Sequence, residues 1–146
     1  MTDMLSILAD HIKEYLPSLH VHGYALLTAE TSYPDKPDYI SHRVAYHNAL
    51  IDRTVYIDLA PRPKEVTLDV FIWSDDDEIS SLSISDYIEY EKTGKELPFS
   101  CCFALEANIE EDLKNHLEII EDLFCNALQP VITGAEMFHV PVRDPR

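Results

Sequence analysis

Two neighbouring stretches in the middle of the chain alternate between apolar and polar residues, and this alternation limits the fold more than any other feature. The first is Thr54-Val-Tyr-Ile-Asp-Leu59, and the second is Val66-Thr-Leu-Asp-Val-Phe-Ile-Trp73. Successive side chains of a β-strand point to opposite faces, so a two-residue period is typical of a strand with one buried face. The intervening Pro61-Arg-Pro-Lys64 has the composition of a turn. The two stretches therefore predict a β-hairpin.

The same alternation divides the side chains of the hairpin between two faces. The aliphatic face, which we expect in the core, carries Val55, Ile57, Leu59, Val66, Leu68, Val70 and Ile72. The other face mixes aromatic, hydroxyl and acidic side chains, namely Thr54, Tyr56, Asp58, Thr67, Asp69, Phe71 and Trp73. A face of this composition is either partly covered by other elements or exposed as a binding surface.

Helical patterns lie on both sides of the predicted hairpin. Apolar residues recur at intervals of three and four over residues 3–16, and Pro17 is expected to end this helix. The same spacing predicts a long helix over residues 108–128, with Asn108 as its N-cap. A shorter helix is expected over residues 85–92.

The remaining segments give weaker signals. Residues 19–29 are interpreted as extended, and residues 99–105 as another strand, whereas residues 39–51 fit either a helix or a strand. The sum predicts an α+β fold, a small, mostly antiparallel sheet with the N-terminal and long C-terminal helices packed on one face. The length suits a single globular domain over residues 1–146, with an irregular tail over residues 135–146.

The net charge restricts the partners that this chain can bind. There are 27 Asp and Glu residues against 11 Lys and Arg, a formal net charge of −16. Nucleic acids and anionic membranes are bound through basic residues, so neither is an expected partner. Residues 75–91 alone hold seven acids and no Lys or Arg. A concentrated negative charge favours a basic protein partner, although solubility alone is an alternative explanation.

Cellular location is inferred from three negative observations. The sequence has no apolar run of the roughly 20 residues needed to span a bilayer. The first residues carry no basic segment of the kind that begins a secretory signal. The three cysteines are odd in number, and two of them are adjacent, which favours reduced thiols. We therefore expect a cytoplasmic protein.

Two features raise the question of a metal site. The acidic run beginning at Asp75 fails the EF-hand pattern, because a loop starting there would place Ile79 and Ser80 at its fifth and sixth positions. His20 and His22 would point the same way on a strand and could supply two ligands. Candidates for the third, chosen only by proximity in the sequence, are Asp35, Asp38, His42 and His47. We therefore predict no metal, no cofactor and no catalytic residue, and keep a small metal-dependent enzyme that uses His20 and His22 as an alternative.

Acids interleaved with aromatic residues give the positive prediction of a binding surface. Aromatic side chains are strong interface anchors, and carboxylates pair with the Arg and Lys residues of a partner. The predicted partner-binding residues are Trp73, Asp75, Asp76, Asp77, Glu78, Tyr87, Glu89, Tyr90 and Glu91. The alternative is a solvated acidic turn beside tyrosines that pack locally.

In overall character the whole chain resembles the bacterial immunity proteins, which are small and acidic and neutralise cognate toxin domains. That resemblance implies an inhibitor that binds a folded, basic toxin. The order of patterns over 3–16, 54–73, 85–92, 99–105 and 108–128 also resembles that of acidic secretion chaperones, which hold an effector before export. The long segment 30–53 departs from the chaperone order. A monomer and a homodimer both remain open.

Overall fold

The computed structural model of this chain describes both strands of the predicted hairpin and most of the elements around them. The described residues are 3–63, 65–74, 80–93, 103–105 and 108–134. The predicted tail over residues 135–146 lies outside these ranges, as does the first part of the strand predicted over 99–105.

The strands form one antiparallel sheet in the described part of the chain. They are β1 (Ala25–Ser32), β2 (Ser41–Asn48), β3 (Arg53–Pro61), β4 (Val66–Ser74), β5 (Ser80–Ser83) and β6 (Phe103–Leu105). Strands β1 to β5 lie side by side in sequence order, and β6 pairs with β4. Every pairing is antiparallel.

The predicted hairpin is confirmed as β3 and β4. Its register pairs Val55 with Ile72, Ile57 with Val70 and Leu59 with Leu68. These residues are all fully buried, so the aliphatic face is the core face, as the alternation predicted.

Two of the five described helices start at a residue whose side chain accepts hydrogen bonds from free backbone N–H groups. They are α1 (Met4–Tyr15), α2 (Pro17–Val21), α3 (Ile84–Thr93), α4 (Ile109–Cys125) and α5 (Gln129–Ile132). The Asp3 carboxylate accepts from the Leu5 N–H at 3.2 Å, and the Asn108 side chain accepts from the Glu111 N–H at 3.1 Å. Among the described helices, none combines the length and apolar character needed to cross a membrane.

One hydrophobic core joins helices and sheet. Helix α1 contributes Leu8 and Ile12, and α4 contributes Leu113, Leu117, Ile120 and Phe124, to the same cluster as the aliphatic face of β3 and β4. The α+β class is therefore confirmed. Two hydrogen bonds between residues far apart in the sequence connect α5 to the rest of the fold. The Tyr24 hydroxyl donates to the Ile132 carbonyl at 2.8 Å, and the Arg53 guanidinium donates to the Val131 carbonyl.

The structure corrects the interpretation of residues 19–29 and decides that of residues 39–51. The chain is not extended at 19–21, because Pro17 begins α2 rather than only ending α1, and a proline at the first position of a helix lacks no needed N–H. The ambiguous segment is strand β2. Strand β5 was not predicted, because its sequence, Ser80-Ser-Leu-Ser83, has a single apolar residue.

Candidate functional site

A row of charged side chains crosses the sheet on the face opposite the core. The register places Glu30 of β1 beside Arg43 of β2, Arg43 beside Asp58 of β3, and Asp58 beside Asp69 of β4. Directly opposed residues of an antiparallel pair lie on the same face, about 5 Å apart at their Cβ atoms. The sheet thus assembles three acids and one arginine from segments far apart in the sequence.

Arg43 and Asp58 form the ordered centre of this row. The Arg43 Nε donates to Asp58 Oδ1 at 2.7 Å, and its Nη2 donates to Asp58 Oδ2 at 2.8 Å. This two-point geometry matches a planar guanidinium to a carboxylate. The hydrogen bond to Asp58 is the main cause that raises the pKa of Arg43 above its ordinary value.

An aromatic pair lies next to this ion pair on the same face. The rings of Tyr56 and Phe71 are stacked, with centroids 5.1 Å apart and planes 27° from parallel. The Arg43 guanidinium carbon lies 4.6 Å from the Tyr56 ring centroid and 5.5 Å from that of Phe71. Contacts of this kind attract a cation to the negative faces of the rings. The guanidinium is therefore held by a carboxylate and an aromatic surface together.

Asp69 continues the row with different surroundings. Its Oδ1 atom is buried and has no hydrogen-bond partner among the residues that the structure describes. Burial, and then the negative charges of Asp58 and Asp86, raise the pKa of Asp69 from 3.8 to about 6. Arg43 acts in the opposite direction, but it is already committed to Asp58. Asp69 is a carboxyl group whose ionised form would be stabilised by another cation.

Trp73 belongs to this face. It lies on β4 opposite Thr54 of β3, in the row beyond the stacked pair, and its side chain is partly buried. We call the surface formed by Arg43, Tyr56, Asp58, Asp69, Phe71 and Trp73 the acidic-aromatic face. The predicted binding residues Asp75, Asp76, Asp77 and Glu78 directly follow β4 in the sequence but lie outside the described residues.

The other predicted partner-binding residues belong to α3. Tyr87 is partly buried and packs against the hydrophobic core, which agrees with the local packing that we considered as an alternative. Burial and the neighbouring Glu91 raise the pKa of Tyr87, and Glu91 itself is exposed. Glu89 and Tyr90 lie in the same helix, and their side chains are outside the description. Asp86 connects α3 electrostatically with Asp69.

The proposed histidine pair does not have the strand geometry on which it depended. His20 lies in α2 and His22 is the C-cap of that helix, where side chains two residues apart do not face each other. The strand interpretation of this pair is wrong. Within the described ranges, no group of three or more His, Cys, Asp and Glu side chains could hold a metal ion.

Sequence reasoning placed Tyr56, Asp58, Asp69 and Phe71 on one face but did not select them as a site, and it missed Arg43. Arg43 falls in the segment that fitted either a helix or a strand. Its pairing with Asp58 follows only once β2 is known to lie beside β3. The only local signal is that Arg43 directly precedes the buried Val44, and this alternation breaks at Ala45, which is also buried.

Comparisons with known proteins give no relative for this arrangement. No family model matches the chain, and no curated protein or solved structure matches it.

Proposed function

We propose that this chain is an inhibitor that binds a basic protein partner through the acidic-aromatic face, acting as an immunity protein against a toxin domain. The observation that carries the proposal is the contrast between two neighbouring carboxylates. Asp58 holds a guanidinium in a two-point pair, whereas the adjacent Asp69 has a buried oxygen without a hydrogen-bond partner in the described structure. The face already binds one arginine, and a second cation would suit the carboxylate beside it.

The energetics of Asp69 support a role in binding. Its raised pKa, about 6, means that ionising Asp69 costs more free energy in the folded protein than in water. A guanidinium or ammonium group from a partner would replace the lost hydration with a charge-assisted hydrogen bond and would lower that pKa. Part of the binding free energy would then come from removing the penalty of ionising Asp69, which destabilises the free protein.

The surroundings of Asp69 suit an Arg or Lys residue on a protein. Tyr56 and Phe71 offer an aromatic surface beside the charge, and Trp73 extends this surface along β4. The net charge of −16 would draw a basic partner and repel acidic ones. In this proposal α1 and α4 both cover the core face of the sheet, which leaves the opposite face to the partner. The acids at 75–78 and in α3 extend the contact.

The proposal includes no catalytic residue, no cofactor and no metal, and it places the protein in the cytoplasm. Inhibition by occupation of a surface requires only complementary shape and charge. The odd number of cysteines and the exposed Cys125 thiol fit a reducing compartment. A hydrogen bond to Glu121 raises the pKa of that thiol and so disfavours the reactive thiolate.

The test uses the product of the reading frame adjacent to the gene for this chain, purified as a folded domain. We expect it to bind at a one-to-one ratio, with an affinity that falls as salt is added. Asp69→Asn should weaken binding roughly tenfold or more, because it removes the charge that faces the partner's cation. Isothermal titration calorimetry at two salt concentrations measures both effects.

Glu118→Gln is the matched control for this test. It also removes one negative charge, but Glu118 is exposed on α4. If the two variants weaken binding equally, net charge rather than the acidic-aromatic face carries the interaction. Reversing Asp75, Asp76 and Asp77 together should slow association and flatten its salt dependence. An unchanged association rate would remove residues 75–78 from the proposed surface.

A secretion chaperone is the second candidate, and the order of elements favours it. The described chain runs from α1 and α2 through five strands to α3, β6 and α4, which agrees with the expected sequence of helix, strands, helix, strand and helix. An inhibitor would bind the folded adjacent product, whereas a chaperone would bind an extended segment of it. Binding measured with the folded domain and with overlapping synthetic peptides of that product separates the two.

A further inference from the structure

The edge strand β1 differs from the rest of the sheet in its exposure. Seven of its eight residues are exposed and only Thr31 is intermediate, so the strand is open on both faces. Its outer edge pairs with no strand in the described structure, where β1 is the first strand of the order and β2 its neighbour. An open edge of this kind presents backbone donors and acceptors that can pair with another strand.

Exposed apolar side chains surround this edge. Val21, at the end of α2, is 74% exposed, and Leu26 and Leu27 of β1 are 58% and 55% exposed. Beside them lies an apolar groove of about 730 Å³ between α1, α2 and β1. Its lining includes Ile12, Leu16, Val21, Tyr24, Leu26 and Tyr46. Neighbouring apolar side chains and an apolar groove on a protein surface are typical of an interaction site.

The edge also lies in a part of the sequence with little charge. Residues 15–34 contain one acid, Glu30, and no Lys or Arg, in a chain with 27 acids. The basic partner proposed above would be drawn to the acidic-aromatic face, not to this edge. A second copy of the chain, itself at −16, would be repelled by the acidic surfaces and much less by this edge.

We propose that two copies of this chain form a homodimer in which their β1 strands pair antiparallel and continue the sheet across a two-fold axis. Such a contact is isologous, because the same neutral edge serves both copies. The strand edges satisfy each other's backbone groups, and the apolar groove adds hydrophobic area to the contact. The dimer is independent of the partner-binding proposal, since β1 and the acidic-aromatic face can be occupied together.

The single acid of the strand helps to choose the register. A two-fold axis through Glu30 would put the two Glu30 side chains opposite each other, which is unfavourable. An axis through Ala29 instead places Glu30 of one copy opposite Thr28 of the other. The centre of this register lies in the regular part of β1, and only its outer pairs reach the irregular stretch between Leu26 and Thr28.

Tyr33 directly follows β1 and is 60% exposed. Its φ of 53° turns the chain away from the strand, and its ring lies against that of Tyr39, so Tyr33 takes no part in this register. The self-complementary contact therefore depends on the strand edge and the apolar groove.

Sedimentation velocity of the full chain between about 1 and about 300 µM tests the dimer, a range that spans weak to moderately tight association. We expect a monomer–dimer equilibrium that shifts towards dimer when salt is raised, because salt screens the repulsion between two acidic bodies. Binding of a basic partner has the opposite salt dependence. A chain that remains monomeric throughout this range at high salt would overturn the proposal.

Two substitutions at one exposed position test the register. Thr28→Lys would place a cation opposite Glu30 in both halves of the dimer and should tighten it by roughly tenfold, whereas Thr28→Glu should weaken it by a similar factor. Opposite effects at one site cannot come from misfolding. Equal dissociation constants for the two variants would overturn the Ala29 register, and a dimer untouched by Leu27→Glu would overturn the β1 interface.

Leu50→Glu is the control for adding an acid at an exposed leucine. Leu50 is 95% exposed between β2 and β3, so this variant should dimerise like the parent chain. Hydrogen exchange gives an independent readout, because β1 amides should become protected as concentration rises. Exchange in β1 that is the same at both ends of the concentration range would count against strand pairing. Failure of Asp69→Asn to alter partner binding would leave all of these dimer results unchanged.

Discussion

The two faces of the β3–β4 hairpin are built from the same strands but have different roles in stability and binding. On one face, Ile57, Leu68 and Val70 are fully buried in the core. On the other, the Asp58 side chain remains 18% exposed and pairs with Arg43 of the neighbouring strand β2, which is 39% exposed. Aliphatic burial stabilises the fold without specifying a ligand, whereas half-buried charge and aromatic rings offer directional contacts.

The two faces differ in whether all of their side chains find interaction partners within the chain. The core face is satisfied within the chain, because every aliphatic side chain has apolar neighbours. The acidic-aromatic face is satisfied only in part, since Asp58 has Arg43 but the buried oxygen of Asp69 has no hydrogen-bond partner in the described structure. A substitution on the core face should therefore always lower the free energy of unfolding, whereas one on the opposite face can lower it or raise it.

The largest expected effect is on the core face. Leu68→Ala removes a fully buried side chain that pairs with Leu59 across the hairpin, and it should lower the free energy of unfolding by about 3 kcal/mol. Urea denaturation at neutral pH measures the loss. Thr67→Ala, the neighbouring position on the other face, is the control and should change stability by about 0.5 kcal/mol or less. Equal losses at the two positions would contradict the division between the faces.

A smaller effect of opposite sign is expected at Asp69. Its folded pKa, about 6, lies above the ordinary value of 3.8, so the folded state binds the proton more tightly than the unfolded state does. The penalty for ionising Asp69 is therefore absent below about pH 4, grows as pH rises, and is complete above about pH 6. The unfolding free energy of the Asp69→Asn variant, relative to that of the parent chain, should therefore rise by about 1 kcal/mol from pH 4 to pH 8. This figure allows for the partial solvent exposure of Asp69.

Denaturation of both proteins across this pH range gives the measurement. Asp58→Asn is the informative companion, because it breaks the two-point pair with Arg43 and should destabilise by about 1–2 kcal/mol at pH 8. If the difference in unfolding free energy between the parent chain and the Asp69→Asn variant stays constant from pH 4 to pH 8, Asp69 has an ordinary pKa.

Local alternation was enough to predict the hairpin, because its period of two continues through Val66 to Trp73 without a polar residue on the core face. Strand β2 lacked that clarity, since its inward positions include the polar residues His42 and Asn48, both buried. Those side chains are accommodated by specific hydrogen bonds, from Asn48 to the His22 carbonyl and between His42 and Thr31. Such partners come from other elements and leave no local pattern.

The candidate site was only half predictable for the same reason. The composition of the face follows from the alternation of β3 and β4 alone. The row from Arg43 through Asp58 to Asp69 needs the order and register of three strands, which the sequence of β2 left undecided. The choice of Tyr87 as a contact residue also depended on tertiary structure, because its partial burial against the core follows from the position of α3.

The smallest expected effect separates the ring of Tyr56 from its hydroxyl. The stack on Phe71 and the contact with the Arg43 guanidinium involve the ring, so Tyr56→Phe should change stability by less than about 0.5 kcal/mol. Tyr56→Leu keeps an apolar side chain but removes the ring, and it should cost about 1 kcal/mol.

The two substitutions at Tyr56, made again in an Arg43→Met background, test the contact between the ring and the guanidinium. If the guanidinium is held by the ring as well as by Asp58, Phe and Leu at position 56 should differ less in their free energy of unfolding when Arg43 is absent. The expected reduction is about 0.5 kcal/mol. An unchanged difference would mean that Tyr56 acts through Phe71 alone. The aromatic pair would then be ordinary packing, and only the carboxylates would distinguish this face from the core face.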